Sequence, residues 1–272
     1  MNQLTELANL QHVLVLIFAA IFGLVFGSFG TVLATRILQD ESVAGDASHC
    51  RNCGAKLGWR QNIPVISWLI QRGRCHACSA RISVYYPLTE IGTAALFVAV
   101  ANQGLSLAGL ALLPLAVATM PLIWTDLTVY RLPNKITYGL MLVELAFALA
   151  SWVTDANPQR LLTALACGLV PAFSMLVLSL VTRGGMGLGD VKLTVGIGFA
   201  LGLSSVQAVA AGLVIGFIAG AIAAIAGMVL RRYSMKSALP FGPFLLIGAW
   251  ISVLAGPHLQ QLLVSPWTLQ FS

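Results

Sequence analysis

The stretch LTVGIGFALGLSSVQAVAAGLVIGFIAGAIAAIAGMVL, residues 193–230, contains no charged side chain. At about 20 apolar residues per bilayer crossing it is long enough for two helices, provided that Gly202-Leu203-Ser204-Ser205 turns the chain between them. The rest of the chain has the same character. Of 272 residues, 58% are hydrophobic and 9% are charged, with a mean hydropathy of +0.88. Charges are therefore roughly two to three times scarcer than in an ordinary soluble domain. This composition excludes a soluble globular enzyme, a disordered chain and a disulfide-stapled secreted protein. It predicts an all-α polytopic membrane protein.

Working outward from that stretch, about eight transmembrane helices are predicted, at 13–33, 87–102, 107–125, 136–153, 161–182, 191–203, 206–230 and 239–256. The sixth is too short to span without tilting or thinning the bilayer. The first, Val13 to Leu33, has no basic segment before it and no small-residue cleavage site after it, so it reads as a retained helix rather than a signal peptide. Orientation follows from the bases. Arg36, Arg51, Lys56, Arg60, Arg72, Arg74 and Arg81 fall in one polar loop, and Arg131, Lys135, Arg183, Lys192, Arg231, Arg232 and Lys236 fall on the same side. Of the fifteen Lys and Arg residues only Arg160 then lies outside, which predicts both termini outside and the loop in the cytoplasm. The expected organisation is a first transmembrane helix (1–35), a cytoplasmic four-cysteine domain (36–86) and a seven-helix membrane domain (87–272). No internal repeat stands out.

The loop holds Cys50-Arg51-Asn52-Cys53 and Cys75-His76-Ala77-Cys78, two C-x2-C pairs separated by 21 residues. Each such turn presents two thiolates, and tetrahedral zinc needs four. Structural zinc is the predicted cofactor, because disulfides are disfavoured in the cytoplasm. Redox C-x-x-C chemistry and unpaired structural thiols are the alternatives. A four-cysteine site has no open coordination position, so the metal would hold a fold rather than hydrolyse a substrate. Cys167, mid-helix, reads as packing.

Acids are few: apart from Glu6 they are Asp40, Glu41, Asp46, Glu90, Asp126, Glu144, Asp155 and Asp190. Asp126 ends the third predicted helix and Asp190 opens the sixth, so the topology puts both at one membrane face. Carboxylates in apolar surroundings mark functional sites by default. Two of them facing each other share one proton, so that one activates water while the other polarises a scissile carbonyl, which is aspartic-protease chemistry. In Gly184-Gly185-Met186-Gly187-Leu188-Gly189 the glycines, Gly187 and Gly189 nearest, would let an extended peptide approach Asp190. The plain alternatives are that Asp190 caps its helix or pairs with Lys192, and that Asp126 pairs with Arg131. Glu90 reads as a group binding a substrate or cofactor amine, or as the partner of Arg81 or Lys192. Glu144 reads as an interhelical hydrogen-bonding group. Ile63 to Ile70 is either an interfacial element with Trp68 at headgroup depth or the small apolar core of the cysteine domain. The basic loop suits the anionic lipid bilayer rather than nucleic acid.

In order, Gly27-Ser28-Phe29, the paired C-x-x-C loop, Asn62-Ile63-Pro64, Tyr86-Pro87-Leu88-Thr89-Glu90, Asp126 with Leu132-Pro133-Asn134, Gly185 to Leu193 and Pro240-Phe241-Gly242-Pro243-Phe244 span most of the chain. This series resembles the type IV prepilin leader peptidases, membrane aspartyl proteases with a GxGD motif that also N-methylate. The resemblance implies Asp126 and Asp190 as the catalytic pair and Cys50, Cys53, Cys75 and Cys78 as zinc ligands. Gly187, Gly189, Lys192 and Glu90 are the residues expected to bind substrate, and the resemblance implies S-adenosylmethionine as methyl donor. The implied substrates are prepilins or pseudopilins, cleaved after a glycine at the cytoplasmic face of the bacterial inner membrane. Two positions depart from the family: Thr31 stands where Asn is usual, and Gln61 where Glu is usual. Both lie in or beside the region tied to methylation, so a leader peptidase without methyltransferase activity is the second reading. From a different class, a small transporter with intramembrane carboxylates is the third.

Overall fold

A computed structural model of the chain describes residues 2–42, 48–181, 187–230 and 239–264. Asp46, Arg183, Gly184, Gly185, Met186, Arg231, Arg232 and Lys236, which entered the charge and motif readings, lie outside the described residues. Among those described, all regular structure is helical apart from two isolated β-bridges. The helices are α1 (Asn2–Leu38), α2 (Ile66–Ile70), α3 (Tyr85–Asn102), α4 (Leu107–Leu110), α5 (Leu112–Val129), α6 (Asn134–Asp155), α7 (Pro158–Val181), α8 (Leu188–Gly202), α9 (Val206–Val229) and α10 (Gly242–Val264). Among the described residues five helical segments are long and apolar enough to cross a bilayer, and Gly242–Pro257 is a shorter apolar helix.

Each predicted transmembrane segment coincides with a helix, and the differences have local causes. α1 starts at Asn2 rather than residue 13, because a helix satisfies its own backbone and runs on through polar turns. α3 carries Glu90 and is less apolar. α10 is broken at Gly256 (φ 70, ψ −168) just before Pro257, where the eighth segment was expected to end. The turn predicted at 202–205 is present. The Ser204 and Ser205 amides bond the Leu201 carbonyl, and the Ser205 hydroxyl caps α9 by accepting the Ala208 amide at 3.0 Å.

The chain divides into two compact units, Met1–Gly104 with Ala116–Pro121, and Leu105–Leu115 with Leu122–Ser272. In the first, α1 and α3 are antiparallel: Gly23 lies against Ala94 and Gly27 against Glu90, so four residues forward on one helix match four back on the other. A Cβ on Gly23 would come 2.5 Å from Ala94 Cα, and one on Gly27 2.8 Å from Glu90 Cα. Lipid tails are as apolar as leucine, so helices in a membrane associate through this close backbone contact rather than through exclusion of water.

The second unit repeats the device twice. On α9 and α10, Gly212 meets Ala249, Gly216 meets Leu245 and Gly220 meets Phe241, again antiparallel. On α7 and α8, Gly198 lies against Cys167 and Gly168, and Gly202 against Ala164. This is where Cys167 serves as packing. From Leu193 to Gly202 every residue of α8 is buried, and α8 touches α6, α7, α9 and α10. Surrounded on all sides, it is apolar all round from Val195 onward, and the whole helix is only 15 residues long, about 22 Å against a hydrocarbon thickness of about 30 Å.

A side chain at Gly198 would overlap the Cys167 carbonyl and force α8 away from α7. Gly198→Leu is expected to destabilise the protein by about 1–3 kcal/mol, read as a lower midpoint of thermal unfolding in detergent. An unchanged midpoint would contradict the tight α7–α8 seam.

Candidate active site

α5 stops because Tyr130 adopts the left-handed conformation (φ 52, ψ 37), its amide bonding the Asp126 carbonyl at 3.0 Å. This leaves Asp126 in the last helical turn. Pro133 then precedes α6, whose first residue is Asn134. Within the connection, Leu132 turns inward and is buried. It fills the space left by two glycines: a Cβ on Gly189 would stand 3.1 Å from Leu132 Cβ, and one on Gly242 3.2 Å from Leu132 Cδ2. Gly189 belongs to the first turn of α8 and Gly242 is the first residue of α10. Leu132 therefore gathers two helix starts at the end of α5.

That convergence places the carboxylates. Asp126 Oδ2 accepts the Gly242 amide at 3.0 Å. The first amides of a helix have no intrahelical acceptor and carry the positive end of its dipole, so a carboxylate is a fitting partner. Asp190 is the third residue of α8, and its carboxylate takes the Gly187 amide and lies within electrostatic range of Asp126. Asp126 is 5% exposed and Asp190 7%. Neither makes an ion pair among the described residues. Lys192 turns away from Asp190, as residues two apart on a helix do. Its ammonium donates to Asn134 Oδ1 at 2.9 Å and stands 5.0 Å from the Tyr138 ring centroid. Below the carboxylate, the Thr194 hydroxyl bonds the Asp190 carbonyl at 2.9 Å and faces Met175 Sδ at 2.8 Å.

The surroundings of the two glycines differ. Gly187 has φ −71 and ψ 140, open to any residue; a Cβ there would sit 3.3 Å from Asp190 Oδ2. At Gly189 the requirement is room for Leu132. The Gly242 amide was not singled out from the sequence as a carboxylate partner. The prolines on both sides of Phe241-Gly242 mark a helix start, but the Asp126 bond spans 116 residues.

In the first unit, Glu90 Oε2 accepts the Val65 amide at 2.7 Å and Ser28 bonds the same carboxylate. Its partners are thus Val65 and Ser28 rather than Arg81. Val65 precedes α2 with φ 60 and ψ −51, a left-handed conformation costly for a β-branched residue. Of the two departures from the family, Thr31 is fully buried and its hydroxyl bonds the Gly27 carbonyl at 2.9 Å. Gln61 sits in a 3-10 turn, Trp59–Asn62, with its side chain folded over Gly58. Glu144 is wholly buried on α6, directed at the Leu115 amide near the start of α5. Both of its carboxylate oxygens are buried without a hydrogen bond of normal geometry among the described residues.

Cys50, Cys53, Cys75 and Cys78 converge, with all four sulfurs within 4.8 Å of one another. The two turns are copies offset by 25 residues. The Cys50 amide bonds the Ala55 carbonyl and the Cys75 amide the Ala80 carbonyl, both at 2.8 Å. Gly54 (φ 71) and Ser79 (φ 57) both take left-handed backbone, and the bridges His49–Lys56 and Arg74–Arg81 flank the turns. The sequence carries this short repeat as C-x-x-C-[GS]-A-[KR], contrary to the expectation of no internal repeat. Cys50 Sγ and Cys78 Sγ are 3.8 Å apart, too far for a disulfide and equal to the roughly 3.8 Å edge of a tetrahedron with metal–sulfur bonds of about 2.3 Å. Amides of Cys53 and Asn52 pull the Cys50 thiol down to about 6, and the Ala80 amide lowers Cys78. At Cys53 the Ala55 amide acts the same way, but the Cys78 thiol and its neighbours prevail and push it up to about 11. Four thiols so close need a cation to ionise together. The cluster can hold one metal ion.

Residues 21–103 match the bacterial peptidase A24 N-terminal domain, and residues 111–229 match the type IV leader peptidase family. Three relatives carry the name prepilin leader peptidase/N-methyltransferase. That of Pseudomonas putida is 37% identical over 221 residues, covering 78% of this chain and 73% of the relative. That of Bacillus subtilis is 35% identical over 240 residues, covering 87% and 92%. That of Burkholderia pseudomallei is 30% identical over 288 aligned positions, covering 96% and 92%. No solved structure matches the chain. The first matched segment contains the four cysteines and Glu90, the second both aspartates, and together they run from α1 to α9: the chain belongs to the type IV leader peptidase family.

Proposed function

We propose that the protein is an aspartyl endopeptidase of the bacterial cytoplasmic membrane that removes the leader from prepilins or pseudopilins and then N-methylates the new N-terminus. The observation carrying this reading is the approach of two buried carboxylates, Asp126 and Asp190, from separate helices, with no ion pair to either among the described residues. Sharing one proton, they divide the work. The ionised carboxylate takes a proton from water, and the water oxygen adds to the scissile carbonyl carbon while the protonated partner hydrogen-bonds the carbonyl oxygen. The tetrahedral intermediate then collapses with cleavage of the C–N bond, its nitrogen leaving with a proton from the pair. The Gly242 amide holds Asp126 in place, and Leu132 sets the distance between the two helix starts. A small transporter would account for the carboxylates but not for the four-cysteine cluster or for the match to leader peptidases.

Zinc is the metal that the four thiolates would hold, in a closed site that folds the loop. The bases on that loop favour the cytoplasmic side for it and for the aspartates, with both termini outside. For the second activity, S-adenosylmethionine would supply the methyl group, and the amine proton must pass to a base. Glu90, with Gln61 and Asn62, is the group of residues proposed for that half-reaction and for binding the substrate amine; Gly187, Gly189 and Lys192 are proposed to border the cleavage site.

Cleavage of a purified prepilin, followed by mass, tests the pair. Asp126→Asn and Asp190→Asn are each expected to lower the rate at least about 1000-fold, with the double variant no worse than either. Appreciable turnover by a correctly inserted single variant would refute the assignment.

Metal analysis of the purified protein is expected to find about one zinc per chain, and Cys75→Ser to release it and open the loop to proteolysis. Absence of metal, with all four thiols alkylated under native conditions, would rule the site out.

Methylation is expected to be separable from cleavage. With a pre-cleaved substrate, the Asn variants should still incorporate labelled methyl groups, Glu90→Ala should lose methylation more than cleavage, and Gln61→Glu should raise it. Rapid methylation by the wild type that is insensitive to both changes would remove Glu90 and Gln61 from this role.

A further inference from the structure

The cysteine loop does not use all of its apolar side chains for its own core. Trp68 is committed inward: its indole nitrogen donates to the Ile82 carbonyl at 3.2 Å, and its ring lies against Gly73, where a Cβ would come within 2.8 Å. Trp68 thus belongs to the small apolar core of the cysteine domain, one of the two readings of Ile63 to Ile70. On the opposite face of the same short helix, Ile66 and Ile70, four residues apart and therefore neighbours, are 54% and 76% exposed, with Leu69 at 60%. Nearby in sequence, Trp59 is 73% exposed with the Arg60 guanidinium over its ring at 5.1 Å.

Two further observations say what covers this face. The first is depth. Glu90 is the sixth residue of α3, about 7.5 Å along the helix from its start, and its bond to the Val65 amide ties the beginning of α2 to that level. At the start of α3, Tyr86 is half-buried, a residue type that gathers at membrane interfaces, and the exposed apolar residues Leu88 and Ile91 flank Glu90. α2 is thus held beside the first turns of α3, which packs along α1, a helix long and apolar enough to cross a bilayer. The second is charge. From residue 48 to residue 84 the chain has six Lys and Arg residues and no acid, and all six, Arg51, Lys56, Arg60, Arg72, Arg74 and Arg81, are exposed.

We propose that the Ile66–Leu69–Ile70 face and Trp59 seat in the surface of the bilayer, with the surrounding bases on anionic lipid headgroups. The loop is then anchored shallowly in the leaflet, in addition to the helices on either side of it. Apolar side chains entering the headgroup boundary and a basic rim on anionic lipid are the two components of interfacial binding. Glu90, by accepting the Val65 amide, holds the strained backbone from which α2 starts. This reading is independent of the proteolytic one.

The test is depth-resolved fluorescence of the full protein in vesicles of phosphatidylcholine with brominated acyl chains, made with or without phosphatidylglycerol. Subtracting Trp59→Phe from the wild type isolates Trp59. The expected result is at least about two-fold quenching of Trp59 by the brominated chains, shielding from acrylamide, and a stronger effect with phosphatidylglycerol. Ile66→Ser/Ile70→Ser should reduce the quenching while retaining bound metal; if that variant loses its metal, the wild-type Trp59 signal decides alone. Trp59 open to acrylamide and unquenched by brominated lipid in both vesicle types would overturn the proposal. So would shielding that appears only when a prepilin is added, since the face would then be a protein-docking surface.

Discussion

The hydrogen bond from the Gly242 amide to Asp126 Oδ2 joins the first residue of one helix to the last turn of another. A buried carboxylate without a partner costs several kcal/mol, and the positive end of α10 meets part of that cost without adding a lysine or arginine that would quench the pair. Glycine at 242 leaves room for the carboxylate to approach this closely. A side chain there would stand 2.9 Å from Asp126 Oδ2. α10 is in turn held along α9 by the seam through Gly212, Gly216 and Gly220, and α8 by Gly198 and Gly202 against α7. Backbone-to-backbone contact in an apolar medium thus becomes positional control of two carboxylates.

The cysteine loop applies the same economy in a polar setting. Two copies of one tight turn, each closed by a left-handed residue, aim their thiols at a common point. Their amides favour thiolate at Cys50 and Cys78, and the rest of the ionisation depends on a cation. With a metal bound, the loop would need little core, because metal binding is folding free energy. That leaves Ile66, Leu69 and Ile70 available for another surface.

Much of this was legible in the sequence because the bilayer is a severe solvent. Every segment that must satisfy its own backbone becomes a helix, so the uncharged run at 193–230 announced two helices and the serines at 204 and 205 their turn. The cysteine spacing was equally direct, since four thiolates and one tetrahedron leave few arrangements. What could not be read depended on contacts distant in the chain. The inward turn of Leu132, the Gly242 amide on Asp126 and the Val65 amide on Glu90 have no local periodicity. Lys192 beside Asp190 suggested an ion pair from proximity alone, whereas helical geometry sends it to Asn134. In a five-residue helix such as α2, too few turns exist for a pattern to reveal which of Trp68 and Ile70 faces in.

The claim on which the rest turns is that Asp126 and Asp190 work as one unit around a single shared proton. The pH dependence of kcat/KM for prepilin cleavage by the purified enzyme in bilayers tests it most directly. A shared proton predicts a bell, with activity lost at low pH when both carboxyls are protonated and at high pH when neither is, and with limbs that belong to the pair. A rate constant that is flat between about pH 5 and 9 would contradict it, because two independent carboxylates acting apart from each other would both be ionised across that range.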